Sequence, residues 1–179
     1  MRLKVKKICI ILLVLLFIPQ VLLASGNMEQ IKTLQKDREA WSAKSKVFSK
    51  YSKELSETGL DLTGIAVDSE DKQLQYAAEC VIDVSNVIGL LETVYTLNAN
   101  CSQTYLTIRN LYKQILIALS HTSNVTDYNK LKIDELYNKT KDTDALHLIG
   151  EGKEIIKKLQ KTLADEREDM FSKLRKIKK

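Results

Sequence analysis

A single proline, Pro19, occurs in the 179 residues, and it falls near the N-terminus. Sheet- and loop-rich folds rarely run so far without a proline, whereas long helices exclude it because it removes a backbone donor and clashes with the preceding turn. Its absence after position 19 therefore favours helices. Histidine is almost as scarce, with only His121 and His147. The chain has no HExxH, C-x-x-C, C-x-x-C-H or G-x-S-x-G, and no phosphate-cradling glycine loop. Zinc peptidase, dithiol redox, haem-attachment, serine hydrolase and nucleotide chemistries thus have no motif to build on. The paired Glu-x-x-His pattern of bundle-core metal sites is missing too. No cofactor, metal ligand set or catalytic residue is predicted.

Basic excess is lacking as well, once the first residues are set apart. "MRLKVKK" precedes the apolar run "ICIILLVLLFI", then Pro19 and Gln20, then small residues at Ala24, Ser25 and Gly26. A basic segment, an apolar core and small residues at a cut site describe a signal peptide over residues 1–24, with cleavage after position 24 or 26. The alternative is an uncleaved anchor. Residues 8–24 number 17 and include Pro19 and Gln20, short of the ~20 apolar residues of a comfortable span. The formal charge of the whole chain is +5, from 28 basic and 23 acidic side chains. Removing the leader takes four cations and no acid, leaving 24 against 23, about +1. A near-neutral chain without a clustered basic face gives no reason to expect a nucleic-acid partner. The surviving basic cluster is the end, "SKLRKIKK", where cations complement a helix C-terminus. Membrane contact is expected only through the leader or this tail.

What is present is helical periodicity. Leu34, Trp41, Phe48 and Leu55 recur every seven residues in a charged and polar background, which predicts a long amphipathic helix over 28–57. "TGLDLTGIAVD", with Gly59 and Gly64, reads as a connector. "DSED" at 68–71 supplies a cap. After it Leu74, Ala77, Val81, Val84, Ile88, Leu91 and Tyr95 alternate spacings of three and four through Gly89, predicting one unbroken helix over 69–97 that ends at "NAN". A third, strongly apolar helix is predicted over 102–121, then a loop at "HTSNVTD" and a short helix over 127–138. Ala145, Ile149, Gly152, Ile156, Leu159, Leu163, Glu166, Met170, Leu174 and Ile177 set the seam of a last helix over 142–177, with a weak point at "GEG". His121 is expected at a helix C-terminus, His147 as a half-buried packing residue, and the acids of "DSED" and "DEREDM" mostly in water. The predicted fold is all-α: one domain over 27–179, an elongated antiparallel bundle of three to four long helices plus one short one.

Two cysteines, Cys80 and Cys101, remain after the leader. An oxidising compartment favours a bridge between them. The continuous helix opposes it, since residues 80–97 alone rise roughly 26 Å and bridged Cα atoms lie within about 7 Å. A tight turn at Gly89 is the competing geometry. Three N-x-S/T triplets, at Asn100, Asn124 and Asn138, matter only in a host that glycosylates exported proteins.

With catalytic groups wanting, the expected function is contact. The chain reads as an exported, periplasmic or extracellular, non-enzymatic helical protein that binds a protein partner or self-associates, in the manner of a component of an envelope secretion or conjugation assembly. The candidate interaction face comprises Trp41, Phe48, Tyr105, Leu106, Tyr112 and Ile117. The alternative is a small-ligand-binding or sensor bundle with an apolar cavity lined by Tyr95, Tyr105 and Tyr112.

Overall fold

The computed structural model describes residues 28–100 and 105–177. The leader, Cys9 and Cys101 lie outside the described residues, as do the side chains of Leu34, Tyr105, Leu106 and Ile177. Among the described residues 95% are helical and none is in a strand. They form four helices: α1 Met28–Ser69, α2 Lys72–Asn100, α3 Tyr105–Tyr137 and α4 Thr143–Ile177.

Two expected breaks do not occur. "TGLDLTGIAVD" is the last part of α1 rather than a connector. The seven-residue series continues through it: Trp41, Phe48, Leu55 and Leu62 are all buried, with Ala66 beyond them. Packing along that stripe outweighs the ~1 kcal/mol a helical glycine costs relative to alanine. "HTSNVTD" is likewise the middle of α3, and the predicted short helix is the C-terminal part of α3. There Thr122, Thr126 and Asn129 occupy the inward positions between Leu119 and Ile133. Polar side chains stand where a seam ordinarily has aliphatic ones. The layout is therefore four long helices, not five elements.

The α1–α2 link is two residues long. The N–H of Asp71 donates to Ala66 O at 3.2 Å and that of Glu70 to Val67 O at 3.3 Å. This paired closure of a helix end needs a left-handed residue between the two elements, and Glu70 supplies it with φ 54°. Asp71 then caps α2, its Oδ1 accepting from the N–H of Gln73 at 2.7 Å and of Leu74 at 3.3 Å. Asp142 caps α4 in the same way through the Ala145 N–H at 2.8 Å. Both α2 and α4 run through their internal glycines without a break.

α1 packs along α2 and α4, and α3 packs along the same two. Neighbours run antiparallel: Arg38 meets Ala99 while Ser52 meets Ser85, and Asp37 meets Lys173 while Lys44 meets Glu166. The stripes of the four helices converge on one core. Leu74, Ala77, Val81, Val84, Ile88, Leu91 and Tyr95 of α2 are buried in it, as are Ala145, Ile149, Ile156, Leu159, Leu163 and Met170 of α4. Burial of each large apolar side chain contributes roughly 1.5–3 kcal/mol before conformational entropy is subtracted.

The α1–α2 contact is close because its residues are small. Ser52 Oγ donates to Ser85 O at 3.0 Å and Ser85 Oγ to Ser52 O at 2.7 Å. A Cβ on Gly59 would stand 2.6 Å from Ile82 Cγ1, and one on Gly89 3.5 Å from Ser52 Oγ. Hydroxyl exchange and bare backbone hold the two helices near one another.

Candidate functional site

One end of the core is polar. Glu166 of α4 is 6% exposed, accepts the Tyr95 hydroxyl of α2 at 3.1 Å and pairs with Lys44 of α1. Asp37 of α1, 7% exposed, accepts the Tyr112 hydroxyl of α3 and pairs with Lys173 Nζ of α4 at 3.2 Å. Lys173 also meets Asp169 at 3.0 Å. The two carboxylates thus link all four helices. Burial, and then the adjacent carboxylate, push both tyrosine hydroxyls far above their ordinary range, so they stay protonated and act as donors. Burial pulls Lys173 down, but its contacts with Asp169 and Asp37 outweigh this and hold it above the usual lysine range. Trp41 stands edge-on to Tyr112 with centroids 5.6 Å apart, and Phe48 tilts over Tyr95 at 5.3 Å. Arg38 closes this end by donating to Ala99 O at 2.7 Å, satisfying a carbonyl in the last turn of α2.

Chemically, this network neutralises its own charges. Each acid has a lysine and a phenol, the arrangement that makes a buried carboxylate tolerable. No thiol, imidazole or serine nucleophile is part of it. Among the described residues no group of three or more His, Cys, Asp or Glu side chains could hold a metal ion.

Three members of the expected interaction face lie in this core and cannot form an outer surface: Trp41 at 1%, Phe48 at 0% and Tyr112 at 3% exposure. Their aromatic bulk belongs to packing. Ile117 is on the surface, 70% exposed. The phenols of Tyr95 and Tyr112, expected around a ligand cavity, are engaged by carboxylates. His121 is exposed within α3 rather than at its end. His147 is exposed too, 3.5 Å from Glu151, not half-buried. Of "DEREDM", Asp165, Glu168 and Asp169 face water, but Glu166 does not.

Cys80 is free and buried. Burial and then Asp83 push its thiol up, away from the thiolate that reactivity requires. Asn100, one residue before Cys101, lies about 30 Å along α2 from Cys80, several times the reach of a disulfide.

A second feature lies on the outside of α2 and α3. Tyr76, Leu90 and Leu97 of α2, and Ile117, Tyr128 and Leu131 of α3, are exposed, Leu90 to 64% and Tyr128 to 59%. On α2 they fall on the heptad line 76, 83, 90, 97, and on α3 on the line 117, 124, 131 with 121 and 128 beside it. Tyr76 and Tyr128 adjoin one another, and the Cys80 thiol, then desolvation, then the Tyr128 phenol push Tyr76 up. Charge is sparse here. Between positions 80 and 100 only Asp83 and Glu92 are ionic, and between 105 and 126 only Arg109 and Lys113. By contrast, Lys157, Lys158, Lys161, Asp165 and Glu168 crowd the outside of α4. α2 is long and apolar enough to span a bilayer by length and composition alone, but its inward stripe is engaged by the other helices. The charge-poor stretch was visible in the sequence; that it forms one face required the pairing of α2 with α3. No family model, curated protein or solved structure matches this chain.

Proposed function

We propose that the protein is an exported, non-enzymatic helical interaction protein whose contact surface is the outer face of α2 and α3. One observation carries this reading: Leu90, Leu97, Ile117 and Tyr128 are each more than half exposed on a face with few charges. Scattered exposed aliphatic residues are ordinary, but an aligned apolar patch on a soluble fold marks contact. The polar end of the core supports the same reading, because its acids and phenols are committed to one another. Export rests on the basic, apolar and small-residue order of 1–24. An envelope assembly, of the secretion or conjugation kind, is a setting in which such a protein would work by docking.

The test is comparative cross-linking in the native envelope with the processed chain and with Leu90→Asp/Ile117→Asp. Both sites are exposed, so the thermal midpoint of the variant should stay within a few degrees of the parent. The cross-linked species should be lost in the variant. The same species at the same yield from both chains would overturn the proposal.

A further inference from the structure

We infer that the α2–α3 outer face closes on a second copy of itself across a two-fold axis passing between Leu90 and Ile117. This inference rests on the contact reading above and names the partner.

In a two-fold interface each residue meets the residue on the opposite side of the axis in the other copy, so the face must complement itself. Here the exposed charges nearest the axis are segregated by sign, Glu92 being only partly exposed. On α2, Asp83 and Glu79, both exposed, lie seven and eleven residues from Leu90 toward one end, about 10 and 16 Å. On α3, Lys113 and Arg109, also exposed, lie four and eight residues from Ile117 toward the other end, about 6 and 12 Å. Lys132, at the acidic end, lies 3.9 Å from Glu135, whose closer partner is Lys139 at 2.7 Å. Rotation about the axis lays the acidic end of one copy over the basic end of the other, twice per dimer. The same rotation carries Leu97 toward Tyr128 and Tyr76 of the second copy. The middle of the face holds Leu90, Ile117 and Asn86, and its nearest exposed ionic side chains are Lys113, about 6 Å along α3, and Asp83, about 10 Å along α2.

The dimensions suffice. From Tyr76 to Leu97 the face is about 30 Å long. Two helices of 10–12 Å diameter make it about 20 Å wide, roughly 600 Å² per copy. Together the copies would bury roughly 1,200 Å², the lower edge of specific interfaces. An area of that size fits a reversible dimer.

Sedimentation equilibrium on the processed chain, with charge reversals, tests the inference. The parent should dimerise. Asp83→Lys or Lys113→Asp alone places like charges together twice and should weaken the dimer at least about tenfold. The double variant Asp83→Lys/Lys113→Asp restores opposite signs and should recover the parent affinity to within about threefold. A parent that stays monomeric to about 100 μM, far above the working range of a specific interface, overturns the inference, as does a double variant no tighter than the single ones. In either case the envelope cross-linking separates the two readings. If Leu90→Asp/Ile117→Asp still abolishes a cross-link, the face serves a different protein; if it does not, the contact reading falls too.

Discussion

The half of the core around Trp41 and the half around Leu62 are built on different chemistry. In the first, two buried carboxylates each reach a phenol and a lysine on other helices. In the second, Leu62, Ala66, Leu74, Ala77, Ile133, Ala145 and Ile149 are buried with no carboxylate among them, and the buried polar side chains of α3 there, Thr126 and Asn129, are uncharged. The difference assigns separate tasks to the two halves. An aliphatic layer rewards burial but accepts many registers, because one methyl group replaces another with little loss. A buried acid accepts only a register that returns its partners, since a displaced carboxylate keeps its desolvation cost and loses its donors. The second half coheres through aliphatic burial, whereas the first combines the burial of Trp41, Phe48 and Tyr95 with carboxylates that discriminate between registers.

The largest effect should follow from truncating the aliphatic half. Leu62 is fully buried, so Leu62→Ala should lower unfolding stability by about 2–5 kcal/mol, from lost transfer energy and an unfilled cavity. Urea denaturation followed by circular dichroism measures it. A loss below about 1 kcal/mol would mean this half is loosely packed, and the comparison would fail.

A smaller loss is expected in the polar half. Tyr95→Phe keeps the ring against Phe48 but leaves Glu166 with Lys44 alone, a cost of about 1–3 kcal/mol for a buried charged acceptor. Tyr76→Phe is the control: its ring is 40% exposed, and the change should stay within about 0.5 kcal/mol. Equal results for the two tyrosines would show that the carboxylate network contributes nothing to stability.

These halves were unequally legible in the sequence. The apolar stripes of α2 and α4 follow directly from three–four spacing, because aliphatic residues at that period have one reasonable place to go. The stripe of α1 is legible as far as Leu55, one interval before Leu62, and Gly59 obscures the rest; a glycine reads as a breaker when the neighbour that accommodates it, Ile82, is remote in sequence. Thr122, Thr126 and Asn129 hid the middle of α3 because their polarity suggests turns, and burial by other helices overrode that preference. Glu166 lay in the predicted seam of α4, yet its charge argued for water. Its phenol partner is 71 residues away, a pairing no local pattern contains. The expected contact face suffered in the opposite way: aromatic residues suggested docking, but Trp41, Phe48 and Tyr112 are large enough that the core claims them first.

The smallest effects come from two glycines of α1, and they separate close packing from mere helix propensity. Gly64 is exposed, and a Cβ there would meet nothing within 4 Å. Gly64→Ala should therefore gain about 0.5–1 kcal/mol from reduced unfolded-state freedom. At Gly59 the same methyl would stand 2.6 Å from Ile82 Cγ1 and 3.5 Å from the Ala78 carbonyl oxygen. The propensity gain is then opposed by displacement of α2, and a net loss of about 1 kcal/mol is expected. Adding Ile82→Ala to Gly59→Ala removes the obstructing carbon. The pair should thus be coupled by at least about 0.5 kcal/mol in a double-mutant cycle. If Gly59→Ala stabilised the fold as much as Gly64→Ala, α1 and α2 would not approach as closely as their small residues imply, and the cohesion of this half would have to come from its large side chains alone.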